Sequence, residues 1–257
     1  MSDHSQEGQK NGKVAIALAS VSKSFGPRTV LQDVSFTVAA GTAFVLLGRS
    51  GTGKSVTLKL IDGLLKADSG RVTVNGEDIT KLGSSELAAT RKHMGFLFQS
   101  AALFDSMSVG ENVAFPLRRH TQRADAEIRD QAQSILETLG LGKEYDSMPG
   151  ELSGGMRKRA GLARALAVEP SILLVDEPSA GLDPITSTEI DELLIDIRTN
   201  RHATLVVVTH NMQSARRIAD RMAFLDEGHL LAEGSAEELE HSEHQLVRAF
   251  MKSQQGG

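Results

Sequence analysis

A glycine-rich segment at residues 48–55 restricts the possible folds of this chain more than any other feature. The segment reads Gly-Arg-Ser-Gly-Thr-Gly-Lys-Ser and follows a continuous apolar run at residues 43–47. Glycines allow the backbone to turn so closely that successive N–H groups point inward and can bind phosphate oxygens. A helix that begins at such a loop adds the positive end of its dipole at the same point. The pattern therefore predicts a strand, a phosphate-binding loop and a helix in an α/β protein.

The residue types in this loop indicate what individual side chains do. Lys54 is expected to reach the β- and γ-phosphates of a nucleotide, and the Ser55 hydroxyl is expected to coordinate Mg²⁺. The expected nucleotide-binding residues in and directly after the loop are Gly48, Arg49, Ser50, Gly51, Thr52, Gly53, Lys54, Ser55 and Val56.

A second apolar run, at residues 172–175, ends in two adjacent carboxylates, Asp176 and Glu177. If this run is a strand beside the loop, Asp176 lies near the metal ion, directly or through water. Glu177 then faces the γ-phosphate and can polarise the attacking water as a general base. A solvated acidic strand end is the alternative, and the phosphate loop favours the catalytic interpretation.

Apolar runs and helical periodicities alternate along the rest of the chain. Strand-like patterns cover residues 14–47, before the loop, and further strands are predicted at 71–74, 94–98, 171–175, 203–208 and 222–225. The predicted helices are 54–65, 124–139, 153–167, 185–200 and 212–220. The alternation indicates a mostly parallel sheet with helices on both faces, and the block at about 100–167 is interpreted as an inserted helical lobe.

Composition excludes several other classes of protein. The 257 residues include no cysteine, so disulfides, thiol nucleophiles and thiolate metal sites are absent. The net charge of −5 and the scarcity of aromatic residues disfavour a nucleic-acid partner. The longest charge-free stretch, residues 34–48, is shorter than the roughly 20 apolar residues of a transmembrane helix. Residues 1–12 are polar and unlike a signal peptide, so a cytoplasmic location is expected.

A Leu-Ser-Gly-Gly-Met sequence at residues 152–156 indicates which family of nucleotide-binding proteins the chain resembles. Ser153 can cap the helix that begins there, and Gly154 and Gly155 leave N–H groups exposed at its positive end. With this motif the chain resembles the ATP-binding-cassette (ABC) ATPases, from about residue 15 to 233, with every motif in order. The resemblance implies ATP as the nucleotide. It also implies a P-loop NTPase fold of the ABC type, with a mostly parallel core sheet, an N-terminal antiparallel β subdomain and an inserted helical subdomain.

The resemblance assigns roles to further positions. Phe25 stands where the family stacks an aromatic ring on adenine, and Gln99 stands at the switch glutamine that reads Mg²⁺ and the attacking water. His210 stands at the switch histidine that contacts the γ-phosphate, and Asp183 ends the loop that follows the catalytic Glu177 and belongs to the implied nucleotide-binding set. The implied catalytic residues are Glu177, His210 and Gln99, and the implied metal ligands are Ser55, Gln99 and Asp176.

Several alternatives stay open from the sequence. Phe25 can be an ordinary core residue, Gln99 a loop amide, and His210 a structural histidine. Met156 replaces the usual glutamine of the signature, and the loop after the catalytic carboxylate carries one extra glycine. The basic run at residues 157–159 is interpreted as a solvated helix face.

The resemblance also implies a division into parts. The expected parts are a disordered tail at 1–12, an ATPase domain at 13–240, and a C-terminal tail helix at 241–257. Within the ATPase domain, the expected subdomains are a RecA-like core at 13–99 and 168–240 and a helical subdomain at 100–167. The tail helix can pack across a dimer, pack on its own domain, or fray.

Two kinds of protein partner follow from the resemblance. Two copies are expected to pair head to tail, with each ATP between the phosphate loop of one copy and residues 153–155 of the other. Transporters of the family dock a cytoplasmic helix of a separate permease between the switch glutamine and the helical lobe. There Leu103, Phe104 and Met107 offer apolar contacts in this chain, with Val109 close by.

The sequences at residues 99–118, 152–159 and 179–185 resemble those of the ATPases of Mla/Mce-type phospholipid transporters. That subfamily implies a peripheral motor on the cytoplasmic face of the inner membrane, with a permease and an MCE-type lipid-binding protein. The system moves phospholipid between the inner and outer membranes. A cassette that imports a polar solute, and a soluble cassette without a membrane partner, are the alternatives. No nucleic-acid partner is expected.

Overall fold

The computed structural model describes residues 13–252. Three strands precede the phosphate loop in the sequence, and helices and further strands follow it. The strands are β1 (Val14–Phe25), β2 (Arg28–Ala39), β3 (Ala43–Leu47), β4 (Ser69–Val74), β5 (Glu77–Asp78), β6 (Met94–Leu97), β7 (Ile172–Asp176), β8 (Thr204–Thr209), β9 (Arg221–Asp226) and β10 (His229–Gly234). The helices are α1 (Lys54–Ile61), α2 (Ser84–Arg91), α3 (Val109–His120), α4 (Asp125–Thr138), α5 (Gly154–Leu166), α6 (Pro184–Arg201), α7 (Met212–Ile218), α8 (Ala236–Glu240) and α9 (Gln245–Lys252). Short 3-10 turns occupy Ile79–Lys81, Gly142–Glu144 and Pro149–Glu151. The tail expected at 1–12 lies outside the described residues.

The central layer is a six-stranded sheet with the strand order β10-β9-β3-β8-β7-β6. Strands β9, β3, β8, β7 and β6 run parallel, and β10 pairs antiparallel with β9. Every residue of β3 and β7 is buried, as expected for strands covered on both faces. Successive side chains of β3 enter two different cores, because neighbouring residues of a strand point to opposite faces. This sheet agrees with the predicted mostly parallel core.

A four-stranded antiparallel sheet, with the order β2-β1-β4-β5, covers one face of the central sheet. Its apolar side chains share a core with α1 and with one face of β3. Across this interface Phe36 stacks on Phe44, with ring centres 4.8 Å apart and planes 9° apart. The antiparallel β subdomain implied by the resemblance is therefore present.

Helices α3, α4 and α5 pack on one another and form the lobe inserted between β6 and β7. Val113, Leu136 and Leu162, one from each helix, are fully buried in the core on the other face of the sheet. The sequence pattern did not predict α3, in which Pro116 interrupts the helical signal. Val109, the first residue of α3, is also fully buried, so it is not available as a docking contact.

Helix α1 is shorter than the sequence pattern predicted. It ends at Ile61, and Gly63 adopts a left-handed φ of 69°, so Leu64 and Leu65 follow the helix instead of continuing it. Glycine adopts this conformation without steric cost and commonly ends helices.

Helix α9 packs on its own chain. Val247 and Met251 are fully buried in the same core as the helical lobe. The ring of Phe250 meets that of Phe224 edge-on, with centres 4.9 Å apart. The tail helix thus packs on its own domain, at least over the residues described. Within residues 13–252, no helix combines the length and apolarity that a bilayer span requires.

Candidate functional site

The residues expected to bind nucleotide lie at the carboxyl ends of four neighbouring parallel strands. Gly48 directly follows β3, Asp176 ends β7, Thr209 ends β8, and Gln99 lies two residues beyond β6. Open α/β sheets bind ligands at this edge, where the loops of adjacent strands converge. The topology therefore brings together side chains that are far apart in the sequence.

Two glycines of the phosphate loop are required by close approaches of the backbone. Gly48 has a φ of 153°, and a Cβ atom there would lie 2.2 Å from the carbonyl oxygen of Leu225. Gly53, which precedes the first residue of α1, has a φ of 107°, and a Cβ there would lie 2.9 Å from the carbonyl oxygen of Val30. Any larger residue would displace the loop from the strands on which it rests.

The side chain of Lys54 lies inside the loop. Its Nζ atom donates hydrogen bonds to the carbonyl oxygens of Gly48 and Arg49, at 2.8 and 2.9 Å. Burial lowers the pKa of this ammonium group, and the nearby carboxylates of Glu177 and Asp176 oppose the shift. A cation held at the centre of a ring of backbone groups is well placed to bind phosphate.

Ser55 and Asp176 meet across the gap between α1 and β7. The Ser55 hydroxyl donates a hydrogen bond of 2.8 Å to Oδ1 of Asp176. Asp176 is buried, and burial raises the pKa of its carboxyl group, while the Ser55 hydrogen bond opposes this change. Hydroxyl and carboxylate oxygens side by side are the hard ligands that Mg²⁺ prefers, so these two residues fit the expected metal.

The carboxylate of Glu177 is held by side chains from two other strand ends. Its Oε2 atom lies 2.9 Å from Nδ1 of His210 and accepts a 3.3 Å hydrogen bond from the Thr209 hydroxyl. Its Oε1 atom lies 3.8 Å from Nζ of Lys54. The three residues expected to act on the γ-phosphate therefore converge in the structure.

A cavity of about 620 Å³ opens in front of these groups. The expected site residues that line it are Phe25, Arg49, Ser50, Gly51, Gly53, Lys54, Ser55, Val56, Gln99, Glu177 and His210. Phe25 is 46% exposed, so it is a wall of the cavity and not a core residue. Nζ of Lys23 lies over this ring, 5.4 Å from its centre. An exposed aromatic ring at the wall of the cavity can stack on a nucleotide base.

The signature (residues 152–156) and Asp183 lie outside the lining of this cavity. Ser153 caps α5 and Asp183 caps α6, each through its side chain. Gly155 packs closely on α6, where a Cβ atom would lie 2.5 Å from Cγ2 of Thr186. Among the described residues that line the cavity, Ser153, Gly154, Gly155 and Asp183 do not occur. The signature residues and Asp183 therefore do not line the cavity of their own chain, and neither do Gly48, Thr52 and Asp176, the last of which is bound to Ser55.

The interpretation of residues 157–159 as a solvated face is wrong for the central residue. Lys158 is 5% exposed, whereas Arg157 is exposed. Nζ of Lys158 donates hydrogen bonds to the carbonyl oxygens of Gln99 and Glu177, at 2.5 and 2.9 Å. The sequence does not distinguish this lysine from its basic neighbours, because its burial depends on how α5 packs against the sheet.

Three further residues that line the cavity were not predicted: Arg28, Val30 and Phe250. Arg28 and Val30 belong to the start of β2, which the tight turn after Phe25 returns to the cavity. That hairpin could have been used to place them from the sequence. Phe250 reaches the cavity only through the packing of α9, for which the sequence gives no signal.

A P-loop ATPase of the cassette type is the class of protein that this fold and site define. The chain belongs to the ABC transporter family, whose family model matches residues 31–180. It is therefore the ATP-binding, ATP-hydrolysing subunit of a transporter, in which hydrolysis is coupled to transport.

Curated relatives differ in what their names say they transport. The probable ribonucleotide transport ATP-binding protein mkl of Mycobacterium leprae is 45% identical, over 95% of this chain and 70% of that protein. The intermembrane phospholipid transport system ATP-binding protein MlaF of Escherichia coli K12 is 39% identical, over 92% of this chain and 88% of that one. The methionine import ATP-binding protein MetN of Caulobacter vibrioides is 38% identical, over 94% and 73% respectively.

Solved structures of the same fold confirm the predicted fold class. The ATP-binding cassette MJ0796, a dimer in a post-hydrolysis state bound to ADP and Pi, superposes with a TM-score of 0.80 and 32% identity. The match covers 86% of this chain and 98% of that one.

Proposed function

We propose that this chain is the motor subunit of a transporter that moves phospholipid between the inner and outer membranes. The supporting observation is its 39% identity to MlaF over 92% of its length, together with the subfamily resemblance of residues 99–118. Its proposed partners are a second copy of itself, a permease and, through the permease, an MCE-type lipid-binding protein. Its proposed location is the cytoplasmic face of the inner membrane, where it is held by the permease.

The proposed permease site is a groove of about 350 Å³ beside the helical lobe. Phe104 and Phe115 are 43% and 39% exposed there, and their ring centres lie 5.1 Å apart. The rest of the lining includes Phe96, Phe98 and Pro116, with the basic residues Arg91, Lys92 and Arg164. Leu103 and Met107 are half-buried next to Phe104. An apolar floor with a basic rim suits an amphipathic helix that carries acidic groups.

In the proposed reaction, Glu177 orients a water molecule that attacks the γ-phosphorus as the bond to the bridging oxygen breaks. The water proton passes toward the Glu177 carboxylate, which His210 holds in place. Lys54 neutralises the charge of the β- and γ-phosphates from within the loop. Ser55, Asp176 and Gln99 are the proposed ligands of Mg²⁺, which screens the phosphate charge when bound. In a closed dimer, residues 153–155 of the second copy complete each site.

Glu177→Gln tests the catalytic assignment. The variant keeps the shape and the hydrogen bonds of the side chain but removes the base, so we expect unchanged ATP affinity and at least a hundredfold loss of turnover, on the order found for general bases. Binding of a fluorescent ATP analogue and release of phosphate are the two measurements. The variant should also form an ATP-dependent dimer in gel filtration. Turnover close to that of the parent chain would rule out Glu177 as the base.

Leu103→Glu and Phe104→Glu test the docking groove. A carboxylate at either position disrupts the apolar contact with the partner. Phe104 is exposed and lines the groove, whereas Leu103 is half-buried and packs against the core, so Phe104→Glu carries the test and circular dichroism checks that Leu103→Glu folds. We expect each variant to keep its basal ATPase activity and to lose the permease on detergent extraction and affinity purification. Leu64→Glu is the matched control, since Leu64 is 47% exposed at another surface. Equal recovery of the permease with all variants would refute the docking site.

Mass spectrometry of the purified complex separates the phospholipid proposal from its main alternative. A permease together with an MCE-type protein and bound phospholipid supports the proposal. A permease with a solute-binding protein supports import of a polar solute instead, in line with the name of the methionine import protein MetN.

A further inference from the structure

One buried side chain of α5 contacts both catalytic segments of the site. Lys158 lies just over one turn into the helix that Ser153 caps, and its Nζ atom reaches the main chain at two separate strand ends. The carbonyl oxygen of Gln99, after β6, accepts one hydrogen bond of 2.5 Å. The carbonyl oxygen of Glu177, after β7, accepts another of 2.9 Å. The lysine therefore binds the backbone of the two residues whose side chains are expected to meet the attacking water.

The backbone is in an unfavourable conformation at Glu177 and again two residues after Gln99. Glu177 has a left-handed φ of 46°, and Ala101 and Ala102 have φ values of 61° and 49° directly after the Gln99 segment. Residues with a Cβ atom adopt this region only where the surroundings fix them. The carbonyl oxygens of Ala101 and Ala102 are bound in turn by Arg164, from the last turn of α5, at 2.9 and 2.7 Å. One helix thus restrains both strained segments.

The ammonium group of Lys158 also interacts with the carboxylates of the site. Burial lowers the pKa of its ammonium group, and the carboxylates of Asp176 and Glu177 oppose this shift. A buried cation is costly unless polar groups surround it. Here the two carbonyl oxygens and the two carboxylates provide that environment, and an apolar side chain at residue 158 would fill the space without bonding the main chain.

We propose that Lys158 is a positioning residue for ATP hydrolysis, which fixes Gln99 and Glu177 relative to the helix that begins at Ser153. The inference rests on the proposed roles of Glu177 and Gln99. Because Ser153 is expected to meet the ATP held by the second copy, a shift of α5 on dimer closure reaches the catalytic residues of its own chain through Lys158. The lysine therefore links the two ATP sites of a dimer.

Lys158→Met and Lys158→Arg in the full chain test the inference. We expect Lys158→Met to lower kcat at least tenfold, to leave the KM for ATP within threefold, and to reduce the Hill coefficient toward one. Lys158→Arg keeps a cationic donor and should recover most of kcat. Lys143→Met is the control, because it removes a lysine charge from an exposed position of the helical lobe.

Chemical rescue separates the ammonium group from mere filling of space. The chain contains no cysteine, so Lys158→Cys introduces a single thiol. Alkylation with bromoethylamine under mild denaturation, followed by refolding, restores a side chain of lysine length with its ammonium group, and an alkyl thiosulfonate of similar length restores the bulk alone. We expect kcat to return with the first adduct and not with the second. This pair remains decisive even if Lys158→Met fails to fold.

The outcomes distinguish this inference from the proposed function. Equal kcat for the two adducts, or a kcat of folded Lys158→Met within twofold of the parent chain, overturns the positioning role. Loss of ATP binding in step with kcat in a folded Lys158→Met also overturns it, because the lysine would then act on nucleotide binding and not on the hydrolytic step. If Glu177→Gln loses turnover while Lys158→Met does not, the proposed catalytic site stands and only the inference fails. If Glu177→Gln retains turnover, both fail.

Discussion

Buried carboxylates in this protein are stabilised to different degrees by their neighbours. Asp176 has the Ser55 hydroxyl at 2.8 Å and two lysine side chains, Lys59 and Lys158, nearby, and Ser55 itself lines the cavity. Asp191, on α6, is 1% exposed, and its Oδ1 atom has no hydrogen-bond partner among the described residues. Its Oδ2 atom lies 3.9 Å from Nη1 of Arg217. Asp176 is therefore suited to bind a metal ion, whereas the charged form of Asp191 destabilises the folded state.

Asp191→Asn is expected to stabilise the protein at about pH 8 and to have little effect near pH 4. Burial raises the pKa of Asp191 from 3.8 to about 6, with Ser214 and Arg217 opposing the shift. The folded state therefore binds this proton more tightly than the unfolded state, and its stability falls as the pH rises from about 4 through about 6. The asparagine variant escapes this loss, which is at most ~3 kcal/mol for a shift of about two units.

Urea unfolding of the two proteins across this pH range measures the effect. Asp196→Asn provides the control, since Asp196 is an exposed carboxylate on the same helix and its replacement should change little at any pH. A difference between Asp191→Asn and the parent chain that does not depend on pH would contradict the assigned origin.

At the scale of elements, the loop between β6 and α3 is organised by side chains that come from the helices. Asn112 of α3 is fully buried; its Oδ1 atom accepts a 2.8 Å hydrogen bond from the Phe104 backbone N–H. Its Nδ2 group donates to the carbonyl oxygens of Phe104, Met107 and Ser108. From α5, Arg164 holds the preceding residues and lies over the Phe104 ring, 5.7 Å from its centre. The proposed docking surface is therefore held by α3 and α5, and α5 is the helix that begins at the signature.

Asn112→Ala should lower the free energy of unfolding by about 2–4 kcal/mol, because it leaves several buried backbone groups without partners. It should also speed hydrogen exchange of the Phe104 amide by at least tenfold, since the acceptor of that amide is removed. Urea unfolding and exchange measured by NMR check the two effects. Asn200→Ala, at an exposed position of α6, should change stability by less than about 0.5 kcal/mol. Unchanged exchange at Phe104 would show that other contacts order the loop.

The sequence predicts those parts of the site whose chemistry is carried by local patterns. The phosphate loop, the acidic end of β7 and the capping serine of α5 are recognisable because backbone geometry there demands particular residue types. Lys158 and Asn112 could not be predicted, because a lysine in a basic run and an asparagine in a loop-like stretch are ordinary on a surface. Their importance comes from burial, and burial depends on how α3 and α5 pack, which local periodicity does not contain.

At the scale of the whole molecule, the expected site residues of one chain fall into two groups. The phosphate loop, Glu177 and His210 meet at one cavity, with Asp176 bound to Ser55 beside it, whereas Ser153 lies at the start of a helix and does not line that cavity. The positive end of α5 can bind an anion. The nucleotide phosphates held by the phosphate loop of the same chain are not expected to reach it. The related cassette MJ0796 is a dimer with ADP and Pi. This arrangement favours a head-to-tail pair in which each chain completes the site of the other.

Mixing two inactive variants tests that pairing directly. Lys54→Ala removes the cation of the phosphate loop, and Ser153→Arg blocks the signature, so each variant alone should hydrolyse little ATP. In a mixed head-to-tail dimer, the intact loop of one chain faces the intact signature of the other, and one complete site is formed. We therefore expect phosphate release to recover on mixing, to at most about a quarter of the parent rate, because half of the exchanged dimers hold one complete site out of two and the proposed coupling between sites lowers this further. Mixing Lys54→Ala with the double variant should restore nothing, because no intact loop is present. No recovery with the two single variants, in dimers shown to have exchanged, would contradict shared sites. Recovery in the control would show instead that hydrolysis does not depend on Lys54.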